Sequence, residues 1–75
     1  MKMRISEIAA LAGVSVRTLQ YYDAIGLLKP SGTDGNGYRI YDENSVEQLK
    51  KILYYREIDM PLKDISDIIR EKKEY

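Results

Sequence analysis

Residues 13–28 of the chain are GVSVRTLQYYDAIGLL, and this stretch decides the fold. Gly13 is a residue type that ends helices, and Ser15, two positions later, is a residue type that caps the start of the next one. The apolar spacing that follows predicts a helix to about Ala24, which Gly26 stops. Two short helices joined by a turn that begins with glycine are typical of the helix-turn-helix motif.

The first of these two helices is predicted from an apolar stripe that comes before Gly13. Ser6 is a candidate for its N-cap, and Gly13 ends it. Apolar side chains recur there at the spacing i, i+3, i+4 and i+7, which places them on one helix face. The residues of this stripe are Ile5, Ile8, Ala9 and Ala12.

The second helix has an apolar face and a polar face. At about 100° per residue, Leu19 and Tyr22 fall on the apolar side. Adjacent helical residues cannot share a face, so we expect Tyr22 to pack in the core and Tyr21 to be exposed. The remaining residues point away from the apolar side: Arg17, Thr18, Gln20, Tyr21 and Ala24.

A β-hairpin is predicted after the second helix. Residues 29–37 have the Gly, Pro and Asn density of a loop, and they lack the GxxxxGK[ST] pattern of a nucleotide-binding loop. Residues 38–41, Tyr-Arg-Ile-Tyr, suit the returning strand of a small wing. Residues 3–5 are a candidate for a third short strand.

Two further helices complete the predicted fold. Asp42 is a candidate N-cap for the third helix, and Pro61 predicts that this helix fails near residues 58–60. A fourth helix is expected from about Pro61 to Lys72. Seventy-five residues have room for one core, so we expect a single domain over residues 1–75. The fold class is mainly α with a small β-hairpin wing, a winged helix-turn-helix with four helices.

Composition narrows the classes of function. The chain has no Cys and no His, which disfavours disulfides, the usual zinc sites, thiol nucleophiles and imidazole bases. We therefore expect no enzyme, metal or cofactor. Apolar runs fall short of the roughly 20 residues of a membrane helix, and the start lacks a secretory signal, so the expected location is cytoplasmic. The formal net charge is zero, but residues 1–41 hold five Lys or Arg against three Asp or Glu, a net of +2.

The polar face of the second helix is a candidate DNA-binding surface. In a major groove, Arg17, Thr18, Gln20 and Tyr21 would reach phosphates and base edges. The Gln side chain can pair with adenine, and the Arg side chain can bind guanine or phosphate. The hydroxyl groups of Thr and Tyr can bind bases or phosphate. Alternatively, this is merely the solvated face of a core helix, and the residues alone leave both interpretations open.

Three more side chains bear on DNA binding. The hairpin would place Tyr38 and Arg39 beside the second helix, whereas we expect Tyr41 to pack in the core. Lys63 lies in the first turn of the fourth helix, where a cation is unfavourable to the helix dipole. An external phosphate would explain a lysine at this position, and the alternative is an exposed lysine that is simply solvated.

With these residues laid out, the chain resembles the N-terminal DNA-binding domain of the MerR family of transcriptional regulators over essentially its whole length. Residues 52–58 look most like the multidrug-responsive and thiopeptide-responsive activators of that family. The family pattern is carried by Ile5, Glu7, Ala9, Gly13-Val14-Ser15, Arg17-Thr18-Leu19, Tyr21-Tyr22-Asp23, Ile25-Gly26-Leu27-Leu28, Pro30, Gly37-Tyr38-Arg39, Tyr41, Leu49, Ile52, Pro61-Leu62 and Ile65.

The resemblance implies a regulator that binds a palindromic promoter with an overlong spacer and distorts it, so that RNA polymerase engages both promoter elements. The second helix would read the major groove, the wing would contact the DNA backbone, and helices over residues 43–72 would form a second wing. Bending such a site costs on the order of 1–6 kcal/mol, which phosphate contacts must supply. The implied DNA contacts are Ser15, Arg17, Thr18, Gln20, Tyr21, Tyr38, Arg39 and Lys63.

Two positions depart from the family pattern. Gln20 stands where many members carry arginine, which affects base preference, and Asp59 stands where glycine is usual. Aspartate adopts left-handed geometry more readily than most residues, so the turn at Asp59 can survive.

The family's long dimerisation helix and effector domain would begin just past Tyr75. We therefore expect an excised domain rather than a short natural protein. By itself it would be largely monomeric, and in the full-length protein it would form a homodimer. Two other classes stay open: an architectural DNA-bending protein of the excisionase type, and a protein-interaction winged helix that has lost DNA binding, with which the zero net charge is compatible.

Overall fold

The computed structural model describes residues 2–71, and within that range it confirms the mainly α fold class with a small wing. The described residues form four helices and a three-stranded sheet. The elements are β1 (Lys2–Arg4), α1 (Ile5–Ala12), α2 (Val16–Ala24), β2 (Gly32–Thr33), β3 (Arg39–Asp42), α3 (Glu43–Glu57) and α4 (Leu62–Glu71).

The sheet has the strand order β1-β3-β2, with β3 in the middle and both pairings antiparallel. Met3 lies opposite Tyr41 in one pairing, and Thr33 lies opposite Arg39 in the other. The third strand predicted near residues 3–5 is therefore present. It joins the start of the chain to the wing formed by β2, β3 and their connecting loop.

The start of α1 corrects one expectation, because Ser6 is not its N-cap. The helix begins at Ile5, and Arg4 occupies the cap position with an extended backbone. Pairing of Arg4 with Ile40 across the sheet holds that extended conformation. The Arg4 backbone N–H donates to Glu7 Oε1 at 2.9 Å, so the strand passes directly into the helix without Ser6.

The turn between α1 and α2 follows the sequence prediction. Gly13 has a φ of 72°, in the left-handed region where glycine is favoured, and it ends α1. Ser15 caps α2, with its Oγ accepting from the Thr18 backbone N–H at 3.0 Å. These two local devices set the entry of the chain into α2.

One core joins all four helices to the central strand. Tyr41 is completely buried and Tyr22 nearly so, as predicted for both, whereas Tyr54 on the outer side of α3 is 63% exposed. Within residues 2–71, no helix is both long enough and apolar enough to cross a membrane. The buried apolar residues are Ile8, Ala9, Leu19, Tyr22, Leu27, Leu28, Tyr41, Val46, Leu49, Ile52 and Ile65.

The break between α3 and α4 lies where Pro61 predicted it. Asp59 has a φ of 62°, so it does adopt the left-handed conformation for which glycine would be usual. Arg56 closes the turn by donating from Nη1 to the Met60 carbonyl oxygen at 3.0 Å. The predicted end of the fourth helix, at Lys72, lies outside the described residues.

Asp42 caps α3, as predicted, and also ends β3. Its Oδ1 accepts from the Ser45 backbone N–H at 3.0 Å, and its own N–H donates to Ser31 Oγ at 2.9 Å. Hydrogen bonds from the Ser45 backbone and from Ser31 lower the pKa of the Asp42 carboxyl. Because the folded pKa is depressed, its stabilisation is present above the unfolded pKa and is lost as the pH falls through the folded pKa.

Replacing Asp42 with alanine is expected to lower the urea midpoint of unfolding at neutral pH, because α3 loses its cap. Asp42→Asn keeps an oxygen acceptor and should stay close to the parent at that pH. On acidification the parent should lose stability that Asp42→Asn does not lose, as measured by circular dichroism through a urea series. Equal acid sensitivity in the parent and Asp42→Asn would contradict this assignment.

Candidate nucleic-acid interface

The outer face of α2 carries the polar residues that the sequence placed there. Arg17, Gln20 and Tyr21 are exposed, and Tyr21 retains 53% of its surface. On the opposite side, Leu19 and Tyr22 are buried in the core. The inner face of α2 therefore packs in the core, and its outer face presents hydrogen-bonding side chains to solvent.

Ser15 and Thr18 have a structural role at the start of this face. Besides the capping hydrogen bond, their hydroxyl groups lie 2.9 Å apart and share a hydrogen bond. Thr18 is only partly exposed, whereas Ser15 is exposed. Both residues lie at the N-terminal end of α2, where backbone N–H groups favour an anion.

The tip of the wing is closed by Asp34. Its Oδ1 accepts from the backbone N–H groups of Asn36 at 2.8 Å and Tyr38 at 3.0 Å, and Gly37 supplies a φ of 83°. The pKa of the Asp34 carboxyl is lowered, mainly by the hydrogen bond from the Asn36 backbone and further by the Tyr38 backbone and the charge of Arg4. Desolvation opposes this shift in part. The loop is thus an ordered turn held by an ionised carboxylate.

Arg4 braces the same tip from β1, a contact that the sequence analysis missed. Its Nη2 lies 3.1 Å from Asp34 Oδ2, and its guanidinium lies 4.5 Å from the centroid of the Tyr38 ring. Tyr38 is 55% exposed, so the stacked arginine holds an accessible ring in place. The candidate third strand was the available signal, because pairing it with residues 38–41 brings Arg4 to the wing.

Asp23, in the last turn of α2, joins that helix to the wing. Its Oδ2 lies 3.5 Å from Arg39 Nε on β3, and its Oδ1 lies 3.3 Å from Lys29 Nζ. The ammonium of Lys29 also donates to the Asp23 backbone carbonyl at 3.3 Å. Arg39 is therefore placed beside α2, as predicted, but through a carboxylate that the sequence analysis did not select.

Tyr41 lies beneath this junction with its hydroxyl buried. Within residues 2–71 that hydroxyl has no hydrogen-bond partner. Burial raises the pKa of Tyr41, the charge of Asp23 raises it further, and Arg39 partly offsets both. The charges of Asp23 and Arg39 thus act at the edge of the core, where water screens them less than at an open surface.

Lys63 is exposed in the first turn of α4, as predicted. It is carried by the helix pair α3 and α4, which pack on each other, and not by α2 or the wing. The structure therefore groups Ser15, Thr18 and Tyr21 on α2, connects Arg39 to that helix, and leaves Lys63 on a separate element.

An apolar groove of about 110 Å³ lies between α1 and α3. None of its lining residues belongs to α2 or the wing. Its walls carry no carboxylate or hydroxyl, and Lys50 is the one charged residue that lines it. Residues 2–71 also contain no cluster of three or more His, Cys, Asp or Glu that could hold a metal ion. The lining residues are Ile8, Leu11, Ala12, Val46, Leu49, Lys50 and Leu53.

Comparison with known proteins gives a family match over most of the chain. The model of the MerR HTH family regulatory proteins matches residues 3–72. SkgA, an HTH-type transcriptional regulator of Caulobacter vibrioides, is 52% identical over 62 residues. That alignment covers 83% of this chain and 24% of SkgA, so the chain spans about a quarter of that relative.

Two solved structures share the fold. MtaN, the N-terminal part of the Bacillus subtilis multidrug transporter activator, superposes with a TM-score of 0.87 at 39% identity, covering 89% of this chain and 63% of that one. HiNmlR, a MerR family regulator that lacks the sensor domain and was crystallised bound to promoter DNA, superposes with a TM-score of 0.81 at 31% identity. That match covers 91% of this chain and 54% of HiNmlR.

Replacing Arg4 with glutamine is expected to speed amide hydrogen exchange several-fold at Asn36 and Tyr38, because the tip loses its ion pair and its stacked cation. Lys2→Gln is the matched control, since it removes the same charge two residues away on the same strand. Exchange measured by NMR should change at the tip in the Arg4 variant alone. Equal rates in the parent and Arg4→Gln would show that Arg4 does not brace the wing.

Proposed function

The chain belongs to the MerR family of HTH regulatory proteins, and on that premise we propose that it binds promoter DNA sequence-specifically in the cytoplasm. The observation that carries the proposal is the junction at Asp23. It connects the exposed polar face of α2 to Arg39 of the wing, so that helix and wing form one surface. Such a surface suits a helix in the major groove flanked by a wing on the DNA backbone.

Within this proposal, α2 supplies the contacts that distinguish bases. Gln20 presents an amide that can pair with adenine, and Arg17 and Tyr21 reach guanine, phosphate or other base edges. Each is exposed in the structure, so binding needs no rearrangement of the core. Ser15 and Thr18 sit at the N-terminal end of the same helix, where hydroxyls and backbone N–H groups suit a phosphate.

The wing and the last helix pair supply contacts that position the DNA. Tyr38 and Arg39 face the backbone from the wing, and Lys63 reaches a more distant phosphate from α4. Contacts on separate elements favour a DNA that curves around the domain, which supports activation by distortion of an overlong spacer. The cost of that bend, on the order of 1–6 kcal/mol, would come from these phosphate contacts.

We further propose that the regulator acts on a palindromic promoter as a homodimer in its full-length form, and that RNA polymerase is engaged indirectly through the distorted DNA. HiNmlR, similar in fold, is bound to promoter DNA. Two half-sites held in one dimer gain affinity by effective concentration, so the domain by itself would be monomeric and bind weakly. The proposed activity is binding and not catalysis, and SkgA and MtaN are likewise regulators.

Selection from a random DNA pool tests sequence-specific binding. The chain fused to a neutral dimeric coiled coil should enrich a palindromic motif, which Tyr21→Ala and Arg39→Ala should lose or weaken. Tyr21→Ala removes a base contact, which contributes about 1–3 kcal/mol, and Arg39→Ala removes a backbone contact that positions the domain on the DNA. Tyr54→Ala is the matched control, since Tyr54 is also an exposed helical tyrosine but lies on α3. The unfused chain should enrich a half-site more weakly.

Two results of that selection would count against the proposal. If the fusion enriches nothing even at low salt, the protein-interaction winged helix becomes the better interpretation. If Tyr54→Ala weakens the motif as much as Tyr21→Ala, the face of α2 has no special role in reading DNA.

The role of Lys63 is tested by the salt dependence of affinity. A phosphate contact contributes about one unit to the slope of log affinity against log salt, independent of sequence. Lys63→Ala should therefore weaken binding similarly on all sequences and reduce the slope by about one per domain. Lys50→Ala, which removes an exposed lysine paired with Glu47 on α3, should leave the slope unchanged. An unchanged slope in Lys63→Ala would remove Lys63 from the interface.

A further inference from the structure

Asp23 places a negative charge within the proposed DNA interface, where a carboxylate facing outward would repel phosphate. The structure turns it inward instead. Only 16% of its side chain is exposed, and its two oxygens point to Lys29 and Arg39 at 3.3 and 3.5 Å. The two cations keep larger exposed fractions, 69% for Lys29 and 49% for Arg39. Each cation therefore contacts Asp23 on one side and leaves another side open to solvent.

The carboxylate connects three successive parts of the chain. Asp23 lies in the last turn of α2, Lys29 lies in the segment that follows α2, and Arg39 begins β3. Arg39 is also opposite Thr33 in the pairing of β3 with β2. The ion pair at Arg39 therefore links the wing hairpin to the last turn of α2.

The surroundings of Asp23 strengthen this connection. Tyr41 lies two residues after Arg39, on the same face of β3, and is completely buried. Its pKa is raised by burial and then by the charge of Asp23, so the carboxylate lies close to the core. Ion pairs in such partly desolvated places are screened less than pairs at an open surface.

We propose that Asp23 is a positioning residue that makes DNA binding selective. It holds Arg39 of the wing at a defined place beside α2, and its negative charge weakens the attraction of Lys29 and Arg39 for non-specific DNA. This inference rests on the proposed function. Asp23 itself makes no contact with DNA in this scheme and acts through Arg39 and Lys29.

The proposal predicts opposite effects on two kinds of DNA. Non-specific binding depends on phosphate charge, so removing a carboxylate and freeing two cations strengthens it. Specific binding needs base contacts from α2 and backbone contacts from the wing at the same time, so a wing that is no longer held in place weakens it. Loss of Asp23 thus lowers the ratio of specific to non-specific affinity.

Asp23→Asn tests this in the dimeric fusion, with affinities measured on the selected palindrome and on a scrambled duplex of equal length over a series of salt concentrations. We expect tighter binding to the scrambled duplex with a steeper salt slope, no tighter binding to the palindrome, and a specificity ratio that falls roughly tenfold. Glu47→Gln makes the same charge change and frees a paired lysine, Lys50, on α3 outside the proposed interface. An equal fall of the ratio in Glu47→Gln would reduce the effect to net charge and overturn the proposal.

A double variant shows whether Asp23 acts through Arg39. If it does, adding Asp23→Asn to Arg39→Gln should change the ratio much less than Asp23→Asn does in the parent. If Asp23→Asn proves too unstable, Arg39→Lys tests the same pair, because lysine keeps the charge for phosphate but loses the Nε contact. In Arg39→Lys the ratio of specific to non-specific affinity should fall, while the urea midpoint of unfolding stays near that of the parent.

The outcomes separate this inference from the function on which it rests. A parent fusion that prefers no sequence overturns both. If the parent selects a palindrome but Asp23→Asn or Arg39→Lys leaves the ratio of specific to non-specific affinity unchanged, only the role of Asp23 is overturned.

Discussion

The burial of Tyr41 from the central strand β3 is the constraint on which the other features depend. This side chain is completely enclosed, and β3 pairs with both β1 and β2. Alternate residues of a strand share a face, so burying Tyr41 directs Arg39 to the same side, where Asp23 of α2 lies. The wing is thus aligned with α2 by the packing of a neighbouring residue in the core.

The central position of β3 also determines what lies at its two ends. At one end, Asp42 leaves the sheet and immediately caps α3, so that no loop separates strand from helix. At the other, the hairpin tip is closed by Asp34 and braced by Arg4 from β1. A chain this short buries a limited apolar area, so direct strand-to-helix junctions and short ordered turns avoid the entropy of long loops.

Although the net charge of the chain is zero, the cations near the wing have defined positions, because three of them are held in ion pairs. Arg4 pairs with Asp34, and Lys29 and Arg39 pair with Asp23, all at partly exposed sites. Such pairs contribute little to stability, but they fix where each cation stands. Under the proposed function, a phosphate at the interface would meet cations in defined positions, whereas DNA elsewhere would meet a surface whose charge is largely balanced.

Local chemistry in the sequence was enough to predict the four helices, the N-caps of α2 and α3 and the two faces of α2. Gly13, Ser15, Asp42 and Pro61 act within one turn of their own position, so their effects are visible without tertiary contacts. The start of α1 at Ile5, the brace of Arg4 on the wing and the link from Asp23 to Arg39 were decided only by the tertiary structure. These depend on strand register and core packing, which join residues far apart in the chain, and no rule that acts over a few residues specifies them.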